Sequence, residues 1–313
     1  MKILYALSDH INSTLQFLRI APLLKDHQVK VAAYQRALNI IHFNYNISSV
    51  KPFIGTSKDI TFNDNYKYYK SDIVKFAPDL IISDADIYTG LAAKELNIPL
   101  LQVSPFLLYD ALTLGFQQKL NIKKYGYSTF RQKIKTQQIK KQIAEHATNY
   151  VLSHFCDVID RPILKEGFSW IRPPHVVSEI IERSAKNIFL SNNDKQIIDN
   201  TKYACGNLFV PYTYEKYAGW NVNSIYDTDK YAKALRATGF FICDGNPINL
   251  ADCFYNKRFC NMYLSKNRDG LIYNALTEYY KIGWVDSTLL NGKEIDVNKD
   301  DKINDIDNII GHL

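Results

Sequence analysis

The sequence predicts an α/β protein built of two Rossmann-like domains facing across a cleft, and three observations carry that expectation. Apolar strand-like runs alternate with amphipathic helix-like stretches in both halves of the chain, the pattern of parallel sheets joined by right-handed crossovers. The 313 residues exceed one ordinary α/β domain and suit two of about 150 residues, each able to bury its own core. Polar residues (Ser8, Asp9 and His10; Ser83 and Asp84; Ser104) stand directly after apolar runs, and an open parallel sheet binds its ligands at the carboxyl edge, where such positions converge.

Residues 2 to 8 form a continuous apolar run, as a strand buried on both faces requires. From Asn12 to His27, Leu15, Leu18, Ile20, Ala21, Leu23 and Leu24 recur at helical spacing, with Asn12 or Ser13 as the N-cap. Strands are expected over Val29 to Ala33 and Ile47 to Phe53, with a short helix, Leu38 to Phe43, between them. A helix over Asp64 to Phe76 stops before Pro78, because the residue ahead of a proline disfavours the helical region. Leu80 to Asp84 is a buried strand ending in polar residues. Helix Thr89 to Leu96, the turn Asn97-Ile98-Pro99 and strand Leu100 to Val103 complete the first alternation.

Residues 106 to 149 read as helical and basic, carrying Lys119, Lys123, Lys124, Arg131, Lys133, Lys135, Lys140 and Lys141. That pattern is a solvated helix face, or a contact of Lys119–Lys141 with an anionic surface. Strand Tyr150 to Phe155 leads into an irregular stretch with Pro162, Trp170, Pro173 and Pro174. The expected division is a first domain over 1–165, a linker over 166–185, a second domain over 186–290, and a polar tail with a short terminal helix over 291–313. Within the second domain, strands are expected over Asn187 to Leu190, Asn207 to Val210, Phe240 to Cys243 and Phe259 to Leu264. Helices are expected over Asp194 to Asn200, Thr228 to Arg236, Ile248 to Tyr255 and Leu271 to Tyr280.

Hydrophobic residues make up 46% of the chain and charged residues 22%, proportions of an ordinary globular protein. No apolar run reaches the roughly 18 residues of a membrane-spanning helix, and the segment before Asp9 is too short for a signal peptide, so a cytoplasmic protein is expected. The five cysteines (Cys156, Cys205, Cys243, Cys253 and Cys260) have no metal-ligand spacing, and their odd number argues against a full disulfide framework. A net charge of +6 permits an anionic partner, a nucleotide, a phospholipid surface or a nucleic acid, without requiring one.

Two stretches of the first half carry a family likeness. Met1–Ser8 followed by Arg19-Ile20-Ala21-Pro22-Leu23-Leu24-Lys25, and Pro78–Asp84 with Gly90–Pro99, resemble the N-terminal domain of the GT-B glycosyltransferases, in the branch of the UDP-glycosyltransferases and MurG. The likeness covers about residues 1–105 and, more faintly, 186–284. It implies a transferase that moves a sugar from a nucleotide-diphosphate donor, a UDP-sugar first, to an acceptor hydroxyl, with inversion and without a metal. The acceptor class (small molecule, glycan, lipid or modified DNA base) stays open. The loop Ser8-Asp9-His10-Ile11-Asn12-Ser13-Thr14-Leu15-Gln16-Phe17 resembles the family's Gly-His-Ile-Asn-Pro-x-Leu-Gln-Phe, with Asp9 for the glycine, which implies His10 as the base that deprotonates the acceptor. Matched from Ile20–Leu24 instead, Ser13 falls in the histidine's place; His10 is preferred because a base at the tip of a strand is chemically competent. A family aspartate near the end of strand four orients that histidine, which implies the same role for Asp84, with Asp86 as the alternative and helix capping as the plainer use of either. Asp9, Ser13 and Ser104 would line the acceptor side.

In the second half the family has a His/Asn-Gly-Gly-x-x-Ser-x-x-Glu-Ala turn that holds the donor. Asp244-Gly245-Asn246-Pro247-Ile248-Asn249-Leu250-Ala251-Asp252 is similar in length. Gly245 is kept, Asn246 replaces the second glycine, Asn249 the serine and Asp252 the glutamate. The resemblance implies that backbone amides and a helix N-terminus hold the diphosphate while Asp252 reaches the ribose diol. Asp244 puts a negative charge at the mouth, and Pro247 removes one amide donor. Asn267–Ala275 resembles the family's closing segment; Arg268 would neutralise phosphate and Asp269 would contact the sugar, Asn274-Ala275 match directly, and the family's glutamine is absent.

The nucleotide sugar is a co-substrate, and no metal or other cofactor is expected, since no Asp-x-Asp stands at a strand end beside the phosphate turn. In the tail, Asp296–Asp307 resembles the calcium loop of dockerins and EF-hands, with Asp301 where the sharp turn takes glycine; a polar linker is the reading preferred to Ca2+. Three rivals stand beside the small-molecule transferase. They are a phage-type transferase acting on modified bases in DNA, motivated by the basic 119–141 stretch, a nucleotide-sugar epimerase of the same architecture, and a non-catalytic binding protein of the same fold.

Overall fold

The computed structural model describes residues 1–7, 11–34, 41, 50–53, 62–84, 86–103, 111–120, 147, 149–153, 166, 168–171, 184–190, 207–211, 221–225, 228–243, 248–250, 252, 260–263, 268–279 and 283–286. They form two parallel sheets, one in each of two compact units. The first sheet contains β1 (Lys2–Ala6), β2 (Gln28–Tyr34), β3 (Val50–Phe53), β4 (Leu80–Ser83), β5 (Leu100–Gln102), β6 (Asn149–Ser153) and β7 (Phe168–Ile171), in the order β3-β2-β1-β4-β5-β6-β7. All its pairings are parallel. The chain builds outward from β1 through β2 and β3, then crosses back to lay β4 on the other side of β1. Strand order therefore reverses between β1 and β4.

Helices cover both faces of this sheet. One face carries α2 (Phe62–Phe76) and α3 (Ile87–Leu96). There Tyr69, Ile73, Ala92 and Ala93 pack on Leu4, Ala6, Ala32, Ile81 and Leu100. The other carries α1 (Ile11–Ile20), whose Phe17 meets Tyr5 of β1 edge-on with ring centroids 5.0 Å apart. With both faces covered, Ile3, Leu4, Tyr5 and Ala6 are all buried, which is why β1 reads as a continuous apolar run rather than an alternating one. A 3-10 turn, Ala21–Leu24, continues α1 and opens at the proline. Helix α1 begins at Ile11, so neither Asn12 nor Ser13 is its N-cap, and Ser13 is a buried residue inside the first turn.

The termini of α3 follow directly from the residues present. Asp86 is the N-cap and accepts the Thr89 N–H at 3.0 Å. Asn97 ends the helix in the left-handed region at φ 55°, with the Ile98 N–H bonded to the Ala93 carbonyl at 2.9 Å, and Pro99 prevents continuation. Ala77 plays the same part after α2 at φ 49°, its N–H bonded to the Ile73 carbonyl at 2.8 Å.

The second sheet contains β8 (Ser184–Leu190), β9 (Asn207–Pro211), β10 (Asn221–Ile225), β11 (Thr238–Cys243), β12 (Cys260–Tyr263) and β13 (Gly283–Asp286), in the order β10-β9-β8-β11-β12-β13. It repeats the first plan, with the reversal between β8 and β11. Phe189 of β8 packs on Phe241 of β11 and on Tyr231 of α5 (Thr228–Ala237), with centroids 5.4 and 5.0 Å apart. Asn187, Asn207 and Asn221 stand in register across β8, β9 and β10. The Asn207 amide donates to the Asn187 side-chain oxygen at 2.9 Å, and a slip of one residue would break that bond.

Several expectations change. Phe168–Ile171, expected in the 166–185 linker as irregular chain, is a strand of the first sheet, with Trp170 in register with Leu152. Strand β13 was not expected. Helix α4 (Leu114–Lys119), within the helical and basic stretch expected in the first domain, belongs to the second unit, where Phe116 meets Tyr279 at 5.3 Å. The units are Met1–Leu112, Ser128–Ser153 and Leu164–Ile171 against Thr113–Tyr127, His154–Ile163 and Arg172–Leu313. Helix α6 spans Arg268–Tyr279, three residues earlier than expected. Lys119 is exposed at the end of α4, while the basic residues from 121 to 141, the Asp296–Asp307 loop and the rest of the 291–313 tail lie outside the described residues. Among the described residues no helix is long and apolar enough to cross a membrane.

Candidate functional site

In an open parallel sheet, the carboxyl ends of the two strands flanking the reversal diverge into loops and leave a crevice. In the first unit those strands are β1 and β4, paired from Ile3↔Leu80 to Ala6↔Ser83. The pairing extends one residue further, with the Asp84 N–H bonded to the Ala6 carbonyl at 2.9 Å. Asp84 is thus fixed by its backbone at the crevice, and it is buried at 6% exposure. His10, Asp9 and Ser104 lie outside the described residues.

The two carboxylates weighed for the orienting role have different surroundings. Asp86 accepts both the N–H and the hydroxyl of Thr89, and its own N–H donates to the Ser83 hydroxyl at 3.1 Å. Burial pushes its carboxyl up from the ordinary range, opposed chiefly by the bonds from the Thr89 hydroxyl and N–H. Its bonding is spent on starting α3. Asp84 is the carboxylate at the edge.

Helix α1 presents buried polar side chains near the same edge: Ser13, Thr14 and Gln16. The Gln16 amide donates to the Val103 carbonyl at 3.2 Å, which ties α1 to the end of β5. The Thr14 hydroxyl and the Tyr5 hydroxyl are buried with no hydrogen-bond partner among the described residues. The Tyr5 phenol is raised well above its usual range, first by burial and then by the charge of Asp84. The sequence reading missed Tyr5 and Thr14, because a tyrosine in an apolar strand and a threonine in a helix both read as core.

In the second unit the reversal falls between β8 and β11, and β11 ends at Cys243 on the carboxyl edge. Asp244, Gly245 and Asn246 lie outside the described residues; 248–250 and 252 are helical. Asn249 and Asp252 are one helical turn apart, so they share a side of that helix, and both are buried, at 1% and 0% exposure. Neither the amide oxygen nor the amide nitrogen of Asn249 has a partner among the described residues. Arg268 and Asp269 open α6, the helix after β12, so their backbones stand at a helix N-terminus that favours negative charge on a ligand. Further along α6, Asn274 is fully buried, and the Thr277 hydroxyl donates to the Tyr273 carbonyl at 2.8 Å.

No protein-family model matches the chain, and no curated protein matches it in sequence. Solved structures do resemble it. Phytolacca americana UGT2, complexed with UDP-2-fluoro-glucose and pterostilbene, aligns with a TM-score of 0.60 and 9% identity over 98% of this chain and 94% of that one. The spinosyn rhamnosyltransferase SpnG, complexed with thymidine diphosphate, aligns with a TM-score of 0.58 and 9% identity over 98% and 92%. MurG of Acinetobacter baumannii aligns with a TM-score of 0.52 and 10% identity over 91% and 85%. At such identities the likeness is one of fold, and it runs through both sheets.

Proposed function

We infer that this chain, whose fold is the GT-B fold of nucleotide-sugar glycosyltransferases, transfers a sugar from a nucleoside-diphosphate donor to an acceptor hydroxyl. The observation that carries the reading is Asn249. A buried primary amide with neither end satisfied costs about 1–3 kcal/mol for each lost partner, and here it stands in the helix that follows β11, one of the two strands flanking the reversal of the second sheet. A diphosphate at that helix N-terminus would accept from the amide nitrogen, and a ribose or sugar hydroxyl would donate to its oxygen. That ligand class satisfies both ends together.

In the proposed reaction His10, oriented by Asp84, takes the proton of the acceptor hydroxyl. The oxygen attacks the anomeric carbon from the face opposite the diphosphate, the bond from carbon to phosphate oxygen breaks, and the configuration inverts. The diphosphate leaves with the bonding pair, met by the amides of the Gly245–Asn246 turn, by Asn249 and by Arg268. Asp252 binds the ribose and Asp269 the sugar, while Asp9, Ser13 and Ser104 line the acceptor side. The step as written needs no metal. UDP or thymidine diphosphate is the favoured leaving group, since solved neighbours are complexed with UDP-2-fluoro-glucose and with thymidine diphosphate. The cytoplasm, which keeps thiols reduced, is the compartment this reading implies.

Thermal unfolding with UDP and with thymidine diphosphate tests the donor half. At least one nucleotide should stabilise the parent. Asn249→Ala should weaken that nucleotide about tenfold while keeping or raising the stability of the free protein, because it deletes a costly amide. Stabilisation by neither nucleotide would sink the reading. A screen of UDP- and thymidine-diphosphate sugars then tests the chemistry, with His10→Ala expected to lose roughly 100- to 10,000-fold in turnover. Binding without turnover of any donor would leave the rival binding protein.

A further inference from the structure

Three polar groups gather on the α1 side of the first sheet, near its carboxyl edge. Tyr5 is fully buried on β1, and its ring is held edge-on by Phe17 of α1. Thr14 precedes Phe17 by one helical turn and so shares its side of α1. Because α1 runs back along β1 toward β2, that turn lies closer to the carboxyl edge. On β4, Ile81 packs into the α2 and α3 cluster, and Ser83 contacts Thr89 of α3. Side chains alternate along a strand, so Asp84 falls on the opposite side, with Tyr5. Tyr5 pairs with Ile82, which makes Asp84 its diagonal neighbour, two residues nearer the edge.

The hydroxyls of Tyr5 and Thr14 are both buried without a partner among the described residues, and buried polar groups in folded proteins are nearly always satisfied by protein, water or ligand. The Tyr5 phenol, raised by burial and by the Asp84 charge, stays protonated across the physiological range and keeps a proton to donate. Asp86, two residues after Asp84, is engaged with Thr89 at the start of α3.

We propose that Tyr5 and Thr14 together bind one water that hydrogen-bonds the Asp84 carboxylate from behind, so that Tyr5 is a positioning residue for Asp84. A buried water takes two to four polar partners, and these three groups supply them. Tyr5 donates to the water, the water donates to Asp84, and the Thr14 oxygen accepts the second proton. The carboxylate is thereby kept charged and held at the end of β4. The inference rests on the glycosyl-transfer reading for its catalytic consequence alone.

The test is the titration of Asp84 by carboxyl carbon NMR on the full chain, with the signal assigned by its loss in Asp84→Asn. Removing a donor to the charged form raises a carboxyl pKa. In Tyr5→Phe, Asp84 should titrate about one pH unit higher, a tenfold change in proton affinity, and in Thr14→Val it should rise by a smaller amount. Where a donor is turned over, Tyr5→Phe should lower kcat several-fold and leave the donor KM unchanged. An Asp84 titration unmoved in both variants, with melting temperatures equal to or above the parent's, would overturn the proposal, since deleting two idle hydroxyls gives that result. A shift without turnover keeps the positioning role and removes the transferase, whereas turnover without a shift does the reverse.

Discussion

Single residues show how differently like groups are used. Asp84 and Asp86 stand two positions apart after an apolar strand; the family likeness points to Asp84 with Asp86 as the alternative, and helix capping was open to either. Which one starts α3 depends on the residue at which the helix begins, a boundary the apolar spacing leaves uncertain. The consequence for Asp86 is testable. Burial outweighs its hydrogen bonds, so its carboxyl is raised in the folded chain. The folded state therefore holds that proton more tightly than the unfolded one. The stability contributed is full below the ordinary carboxylate pKa of about 4 and is lost as pH rises through the raised value. Asp86→Asn keeps a capping oxygen and removes the charge. Its denaturation midpoint at pH 7 should equal or exceed the parent's and should decline less as pH rises from about 4. A variant more than about 1 kcal/mol less stable at neutral pH would show that the charged form supports the cap. Asn249 was legible as a site residue only through the family turn. Its orphaned amide is a property of packing, and composition carries no trace of it.

At the scale of elements, apolar runs and amphipathic helices were legible and two edge strands were not. The cores of β1, β4 and α2 follow from their apolar residues. Strand β7 sits among prolines that read as linker, and β13 offers only Trp284 and Val285 between Gly283 and Asp286. Helix ends follow local chemistry. Asn97 takes the left-handed conformation that asparagine tolerates, but Ala77 takes it too, at φ 49°, where a Cβ is disfavoured by about 1–2 kcal/mol. Glycine relieves that strain and returns part of the gain through a more flexible unfolded chain. Ala77→Gly should raise stability by roughly 0.5–1 kcal/mol in chemical denaturation. A loss of stability there would mean that the alanine methyl makes packing contacts worth more than the strain.

For the whole molecule, the two-sheet plan was legible from alternation alone, while the assignment of segments to units was not, because contacts far apart in sequence decide it. On the proposed function, a nucleotide that binds only the folded second unit stabilises it by about 2.7 kcal/mol at a hundredfold excess over Kd. Hydrogen exchange with saturating UDP should therefore slow in β11, in 248–252 and in α6, and leave β1 to β5 unchanged. Protection concentrated in the first sheet instead would assign the nucleotide to the wrong unit.

The allocation of short segments bears on how such proteins could be recombined. A chimera that joins one protein's first half to another's second half at a single crossover near residue 165 would pair β6 with a foreign strand in place of β7, and a poor fit there leaves β6 as a sheet edge open to intermolecular pairing. It would also place Phe116 against a foreign partner in place of Tyr279. An exchange of the second unit has to carry Thr113–Tyr127 and His154–Ile163 along with everything from Arg172 onward. In this chain the second unit is a set of three pieces, and a single cut cannot lift it out.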